Sequence, residues 1–277
     1  MRYYQHLFLR AFMKMKLVHA AFERRGYLKE RTEGQVDVNF DAGPVSSIPR
    51  NIFMFWGQGL DAAPELVRSC VKSWEDMNPG WQVNVLTEAH IDDFVSMDDI
   101  PPDLPWAARA DILRLRLLRK YGGVWADATL FCERPLDEWL ENYLTEGFFV
   151  FFGPGPAREI ANWFIASKPD AFLLVRWNEK VTEYWERATQ PDAYIWPHYV
   201  FEYLKLTEQT FRRSWEKVLK VRPDKLILVN RLITNRLPQN VTEQDVLALR
   251  GKLPVAKLTH KHNASFDIFE HYVAHGA

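Results

Sequence analysis

The chain has 277 residues, 47% of them hydrophobic and 26% charged, and a formal net charge of −1. That is enough apolar material to bury a core as one large α/β domain, or as one domain plus an appendage, and the near-neutral charge gives no electrostatic case for nucleic acid. The two cysteines, Cys70 and Cys132, lack CxxC spacing and suggest neither a zinc site nor a disulfide framework, so a reducing cytosol fits. No run of about 18 apolar residues suggests a membrane span, and the N-terminus lacks the continuous apolar region of a secretory signal.

The first 28 residues read as a basic amphipathic helix. Tyr4, Phe8, Ala11, Met15, Val18 and Phe22 recur at spacings of four and three as one apolar stripe, and Gly26 is a stop signal. Residues 1–31 hold eight basic side chains against two acidic ones. Such a helix can lie on an anionic membrane surface, or pack on the domain and show a solvated basic face. Residues 29–47, polar and carrying Gly34, Gly43 and Pro44, read as a linker, and the main domain is expected over 48–277.

Ile52–Trp56 is a short apolar run that suits a buried strand. Leu66, Val67, Cys70, Val71, Trp74 and Met77 form a helical stripe, broken by Asn78-Pro79-Gly80. Gln82–Leu86 is the next strand, and Thr87 can cap a following helix. This β-α-β-α opening predicts a mainly parallel sheet with helices on its faces. Trp106–Lys120 is a long helix ended by Gly122-Gly123, and Val124–Phe131 is a strand or strand end that carries Asp127. Phe148–Phe152 reads as another buried strand, 158–220 as mostly helical and Leu226–Val229 as a short strand. The tail holds His260-Lys261-His262; in a strand, alternation would point the two histidines the same way.

The chemistry concentrates between Arg109 and Phe131. Asp111 and Arg114 are three residues apart and share a helix face. Asp127 is placed near the carboxyl end of a strand, where open α/β sheets have their ligand crevice. Two carboxylates and a guanidinium can therefore converge on one cleft. Carboxylates accept hydrogen bonds from hydroxyls or hold a divalent cation, and a guanidinium forks onto phosphate or orients a carboxylate. A solvated Asp–Arg pair beside an incidental acid is the plainer reading of those three residues taken alone.

The ordered set of segments resembles the bacterial capsular polysaccharide synthesis proteins, related to the DxD sugar-transferase group, glycosyltransferase family 32. The matching stretches are Ile48-Pro49-Arg50 through Trp56-Gly57, Ser73-Trp74, Asn78-Pro79-Gly80-Trp81 and Ala110-Asp111-Ile112-Leu113-Arg114. They continue with Tyr121-Gly122-Gly123-Val124-Trp125-Ala126-Asp127-Ala128-Thr129, Asn162 to Ala166 and Lys257-Leu258-Thr259. The resemblance implies a GT-A fold: a Rossmann-like mixed, mainly parallel sheet flanked by helices, with a helix-rich C-terminal half. It implies a nucleotide-sugar donor, uridine-linked, transfer to a glycan or lipid-linked glycan acceptor, and retention of configuration. By the same resemblance Trp56 stacks on the base, Asp111 and Arg114 contact the sugar, and Asp127 is the first acid of the DxD motif.

The motif departs from the family at Thr129, which stands where the second acid would be. Thr is a weak neutral ligand for Mn²⁺ or Mg²⁺. Two alternatives follow: a divalent cation held by Asp127, the diphosphate and water, with His262 as a further ligand, or no metal and cationic side chains at the leaving diphosphate. His260, Lys261 and His262 are placed by the resemblance to close over that diphosphate, and Asn162 and His198 are candidates for the acceptor side. Two other functions remain open: a non-catalytic nucleotide-sugar binder on a decayed transferase scaffold, and a metal-dependent hydrolase using Asp127, His260 and His262. The expected location is cytoplasmic, peripheral at the inner membrane face.

Overall fold

The computed structural model describes residues 2–25, 47–155, 157–261 and 264–274. All of the linker expected over 29–47 except Ser47, and His262 as well, lie outside them. The helices are α1 (Arg2–Arg24), α2 (Glu65–Met77), α3 (Ile91–Phe94), α4 (Trp106–Tyr121), α5 (Leu136–Trp139), α6 (Phe172–Trp185), α7 (Trp196–Thr207), α8 (Gln209–Lys217), α9 (Leu228–Ile233), α10 (Glu243–Leu247) and α11 (Phe266–Ala274). The strands are β1 (Asn51–Phe55), β2 (Gln82–Leu86), β3 (Gly123–Ala126), β4 (Leu130–Cys132), β5 (Phe148–Gly155), β6 (Arg158–Ser167) and β7 (Val255–Lys257).

Five strands form the central sheet in the order β2-β1-β3-β6-β5. β1 pairs parallel with β2 and with β3, and β6 runs antiparallel to both β3 and β5. The sheet is thus the mixed, mainly parallel one that the β-α-β-α opening predicts. Alternation along the strands splits the core. Phe53, Phe55 and Trp125 face the layer of α4, α6 and α7, while Ile52, Met54, Val124 and Ala126 face that of α2 and α5. A fully buried Phe or Leu contributes roughly 1.5–3 kcal/mol, so the all-buried Phe148–Phe152 run anchors the β5 edge of the sheet. A third cluster joins α9, α10 and α11 to β4 and β7, which pair antiparallel as a separate two-stranded sheet.

The glycine pair after α4 is required by geometry. Gly122 has φ 65° and Gly123 φ 103°, and a Cβ on Gly123 would lie 2.3 Å from the Asn51 carbonyl oxygen. Only glycine can turn α4 directly into β3 at this distance.

Four sequence expectations are corrected. The strand expected over 124–131 is broken after Ala126 by a turn in which Leu130 N donates to Asp127 O (2.8 Å). Residues 158–167, expected to be helical, are β6; a strand buried on both faces reads as a continuous apolar run and carries no alternation to give it away. Leu226–Val229 is a turn leading into α9 rather than a strand. Thr87 does not cap a helix; its hydroxyl pairs with His90 Nδ1 at 2.8 Å.

α1 packs on α7 by an unexpected face. Leu9, Met13 and Ala20 are buried together with Lys16 and Glu23. Lys16 Nζ meets Glu202 Oε2 at 2.6 Å, and Glu23 accepts from Ala157 N. The predicted stripe of Tyr4, Phe8, Met15, Val18 and Phe22 points to solvent, with Phe8 65% exposed. α1 therefore packs on the domain with Arg10, Lys14, Arg24 and Arg25 exposed, and its apolar stripe is exposed as well.

Candidate active site

The carboxyl ends of β1 and β3 open onto a cleft of about 530 Å³. Trp56 follows β1, Asp111 and Arg114 come from α4, Asp127 and Thr129 from the turn after β3, Lys257 from the end of β7, and His260 and Lys261 from the segment after it. Asn162 enters from β6, where the β5 register jumps from Val150↔Ile165 to Phe151↔Ala161. Such a bulge re-aims a strand side chain. Here it turns the Asn162 amide toward α4.

Arg114 is the hub. Its Nη1 donates to Asn162 O at 2.7 Å and lies 3.1 Å from Asp111 Oδ1. Its Nε donates to Ala110 O at 3.1 Å, and its Nη2 lies 3.4 Å from Asp127 Oδ1. The guanidinium lies over Trp125, 4.9 Å from the ring centroid. Trp125 Nε1 in turn donates to Asp127 Oδ1 at 3.0 Å, and Asn162 Nδ2 donates to Asp111 Oδ1 at 2.8 Å. The helix pair is therefore no solvated pair but the centre of a network that fixes both carboxylates.

Burial pushes the Asp111 carboxyl up to about 7 from its ordinary 3.8. The Arg114 charge opposes the rise, Asp127 adds to it, and the Asn162 hydrogen bond opposes it. A carboxyl raised in the folded state stabilises the fold fully below its unfolded pKa, and that contribution is lost as pH rises through 7. Asp111→Asn is therefore expected to gain stability relative to the parent as pH rises from 4 to 8, by an amount on the order of 4 kcal/mol. Urea unfolding of both proteins at the two ends of that range checks it. A difference that does not change with pH returns Asp111 to an ordinary carboxylate.

Thr129 meets a partner from far along the chain. Lys257 Nζ donates to Thr129 Oγ1 at 2.7 Å and lies 3.4 Å from Asp127 Oδ2. Asp127 thus has a guanidinium at one oxygen and an ammonium at the other. A divalent cation wants several oxygen ligands, and no three His, Cys, Asp or Glu side chains gather among the described residues. A dication about 4 Å from the Lys257 ammonium would meet a repulsion on the order of 8 kcal/mol at an effective dielectric of about 20. Among the described residues this donor set does not fit a divalent cation.

The structure brings Trp56, Asp111, Arg114, Asp127, Thr129, Asn162, His198, His260 and Lys261 to one cleft. His260 packs edge-on against Trp56, with ring centroids 5.0 Å apart. It does so from a bend rather than a strand, since β7 ends at Lys257, so the expected alternation of His260 with His262 does not apply. Burial, with Lys261 and Lys257 nearby, lowers the His260 pKa. His198 is buried and held neutral, its pKa pushed down to about 3 by burial and by Arg158 and Arg114. Its Nδ1 has no hydrogen-bond partner among the described residues.

Sequence reasoning missed Lys257, Trp125 and Arg158. Lys257 carried a signal: an acid replaced by Thr129 and a lysine in the tail segment. Arg158 carried none, because 158–167 was expected to be helical. Its guanidinium lines the far end of the cleft beside His198, with only Pro154 O (3.4 Å) as acceptor among the described residues.

Residues 14–275 match the family described as "Capsular polysaccharide synthesis protein". The chain is 30% identical over 171 residues to "Glycosyltransferase afumC" of Aspergillus fumigatus, a match covering 53% of this chain and 43% of that one. It is 28% identical over 119 residues to "Initiation-specific alpha-1,6-mannosyltransferase" of Candida albicans, covering 39% and 31%. The chain thus spans less than half the length of either relative. Among solved structures, "PaToxG Glycosyltransferase" superposes with a TM-score of 0.44 at 13% identity, over 91% of this chain and 98% of that one.

Proposed function

The chain belongs to the capsular polysaccharide synthesis protein family, and from that premise we propose that it is a glycosyltransferase with a nucleotide-sugar donor. The donor is uridine-linked, the acceptor is a hydroxyl of a growing surface polysaccharide or lipid-linked oligosaccharide, and configuration is retained. The observation that carries the reading is the convergence of Asp111, Arg114, Asn162 and Asp127 at the carboxyl ends of β1 and β3, beside Trp56. Relatives whose names describe glycosyl and mannosyl transfer support the reaction class, and the donor-block resemblance supports uridine.

In this reading the Trp56 indole stacks on the base, and Asp111 and Asp127 accept from sugar and ribose hydroxyls while Arg114 holds both rigid. Retention is supported by what the acids are already doing. Asp111 is bonded to Asn162 and Arg114, and Asp127 to Trp125, Arg114 and Lys257. Neither is free to act as a base on the opposite face of the sugar. The acceptor oxygen then bonds to the anomeric carbon on the face the diphosphate leaves. The carbon–oxygen bond to phosphate breaks, and the acceptor proton passes to the departing phosphate oxygen. Positioning and electrostatic stabilisation supply the acceleration. A screen of sugar nucleotides for hydrolysis and thermal stabilisation tests the assignment; no response to any of them removes it.

The peripheral location at the inner membrane face rests on α1. No helix among the described residues is long and apolar enough to cross a membrane. The outward stripe of Tyr4, Leu7, Phe8, Met15, Val18 and Phe22 is flanked by exposed Lys14 and Arg25, the pairing of apolar face and basic flank that anionic lipid attracts. Phe8→Asp with Met15→Asp is expected to lower binding to phosphatidylcholine–phosphatidylglycerol vesicles by about tenfold or more and to leave the melting temperature unchanged. Equal vesicle recovery refutes the contact, and loss of self-association instead assigns the face to a second copy of the chain.

A further inference from the structure

We infer that Lys257 stands in for the divalent metal of the DxD motif, its ammonium being the built-in counter-charge for the donor's leaving diphosphate. The inference rests on the transferase reading and specifies its chemistry.

Three features of this chain lead there. The first is fixation. Lys257 is paired to Leu130 across the two-stranded sheet, its N donates to Leu226 O at 2.8 Å, and Leu258 N donates to Thr129 O at 2.9 Å. The backbone is therefore held on both sides, and the side chain is delivered to the turn at Asp127 without a flexible loop. The second is valence. An ammonium has three protons; one goes to Thr129 Oγ1 and one faces Asp127 Oδ2. The third is available on the cleft side, which Lys257 lines together with Trp56, Asp127 and Thr129.

The third feature is the match between the two changed groups. An acid at 129 would form a second ion pair and spend the lysine charge locally. The Thr129 hydroxyl accepts from the ammonium and leaves its charge in place. Asp127 also meets Arg114 at its other oxygen, a guanidinium it shares with Asp111, so two cations stand at the turn where the motif would otherwise present two acids and a metal. Lys261, exposed at the same cleft, adds to it. Fixed cations aimed at the charge that develops on a departing diphosphate do the work that a metal ion does elsewhere.

The experiment is calorimetric titration of the purified full chain with UDP, GDP and their parent nucleosides, in EDTA and in Mn²⁺. The bound diphosphate is expected to have the same affinity in both. Lys257→Met is expected to weaken it at least about tenfold with no change for the nucleoside, and Lys257→Arg to recover most of the loss. Affinity that rises about tenfold or more with Mn²⁺, or a Lys257→Met variant that binds as the parent does, overturns the inference while leaving the transferase reading intact. Failure of the parent chain to bind any nucleoside diphosphate in either buffer removes the donor site itself and this inference with it. If Lys257→Met does not fold, the metal comparison on the parent chain and the Lys257→Arg titration decide.

Discussion

Asp127→Asn is expected to lower turnover about 10²–10³-fold with little loss of fold stability, a barrier change on the order of 3–4 kcal/mol. The amide is isosteric and keeps an oxygen that can accept from Trp125 Nε1, now 3.0 Å away. It loses the charge that holds Arg114 Nη2 and Lys257 Nζ in place, each 3.4 Å from one carboxylate oxygen. Lys257 then faces the cleft without its anion, and Arg114 keeps only Asp111. Donor affinity is expected to hold or tighten, since the local charge becomes more positive, while kcat falls because the cations are no longer aimed. Steady-state hydrolysis of the responding sugar nucleotide, with donor affinity measured separately, reads both quantities. Near-native kcat would take Asp127 out of the machinery.

The largest stability effect is expected at Arg114. Its side chain is only 6% exposed and serves Asp111, Asp127 and two carbonyls at once. Arg114→Met fills much of the volume but leaves the buried Asp111 carboxylate and the Asn162 carbonyl short of a partner. Removing one member of a buried pair costs about 3–5 kcal/mol, which for a chain of this size is a fall in melting temperature of roughly 10 °C. The sign with pH follows from Asp111. Without the guanidinium its folded pKa rises further above the unfolded one, so the loss is larger at pH 8 than at pH 5. Arg114→Lys is expected to recover part of the stability but not turnover, because a point charge cannot serve several acceptors as a planar fork does. A double-mutant cycle with Asp111→Asn should fall well short of additivity. Additive losses would mean that the two side chains act independently, against the 3.1 Å contact between them.

Asp111 and Arg114 were legible as a pair because helix geometry is local: positions three apart share a face wherever the helix goes. The Gly122-Gly123 turn was legible for a similar reason, since a helix that must become a strand within two residues needs left-handed backbone. The α2 stripe and the strands β1 and β2 followed from periodicity, and Leu66, Val67, Cys70, Val71 and Trp74 are all buried as that stripe requires. The family was legible too, from the order of segments rather than from any single motif, and residues 14–275 belong to it.

What the sequence could not decide were matters of register, breakage and partner. Nothing local says that the strand stops at Ala126, that β6 bulges at Asn162, or which face of α1 meets α7, because each is set by contacts from elsewhere in the chain. The sequence by itself placed two acids and an arginine around a glycine turn, with Thr129 where the resembled motif has its second acid. Only the tertiary structure showed what stands in the space so vacated. Asp127 and Lys257 are 130 positions apart, and no periodicity links them; they meet because β7 must bury Val255 and Ala256 against β4 and the α9–α11 cluster. Burial of apolar side chains fixed that register, and the ammonium arrived at the turn as its consequence.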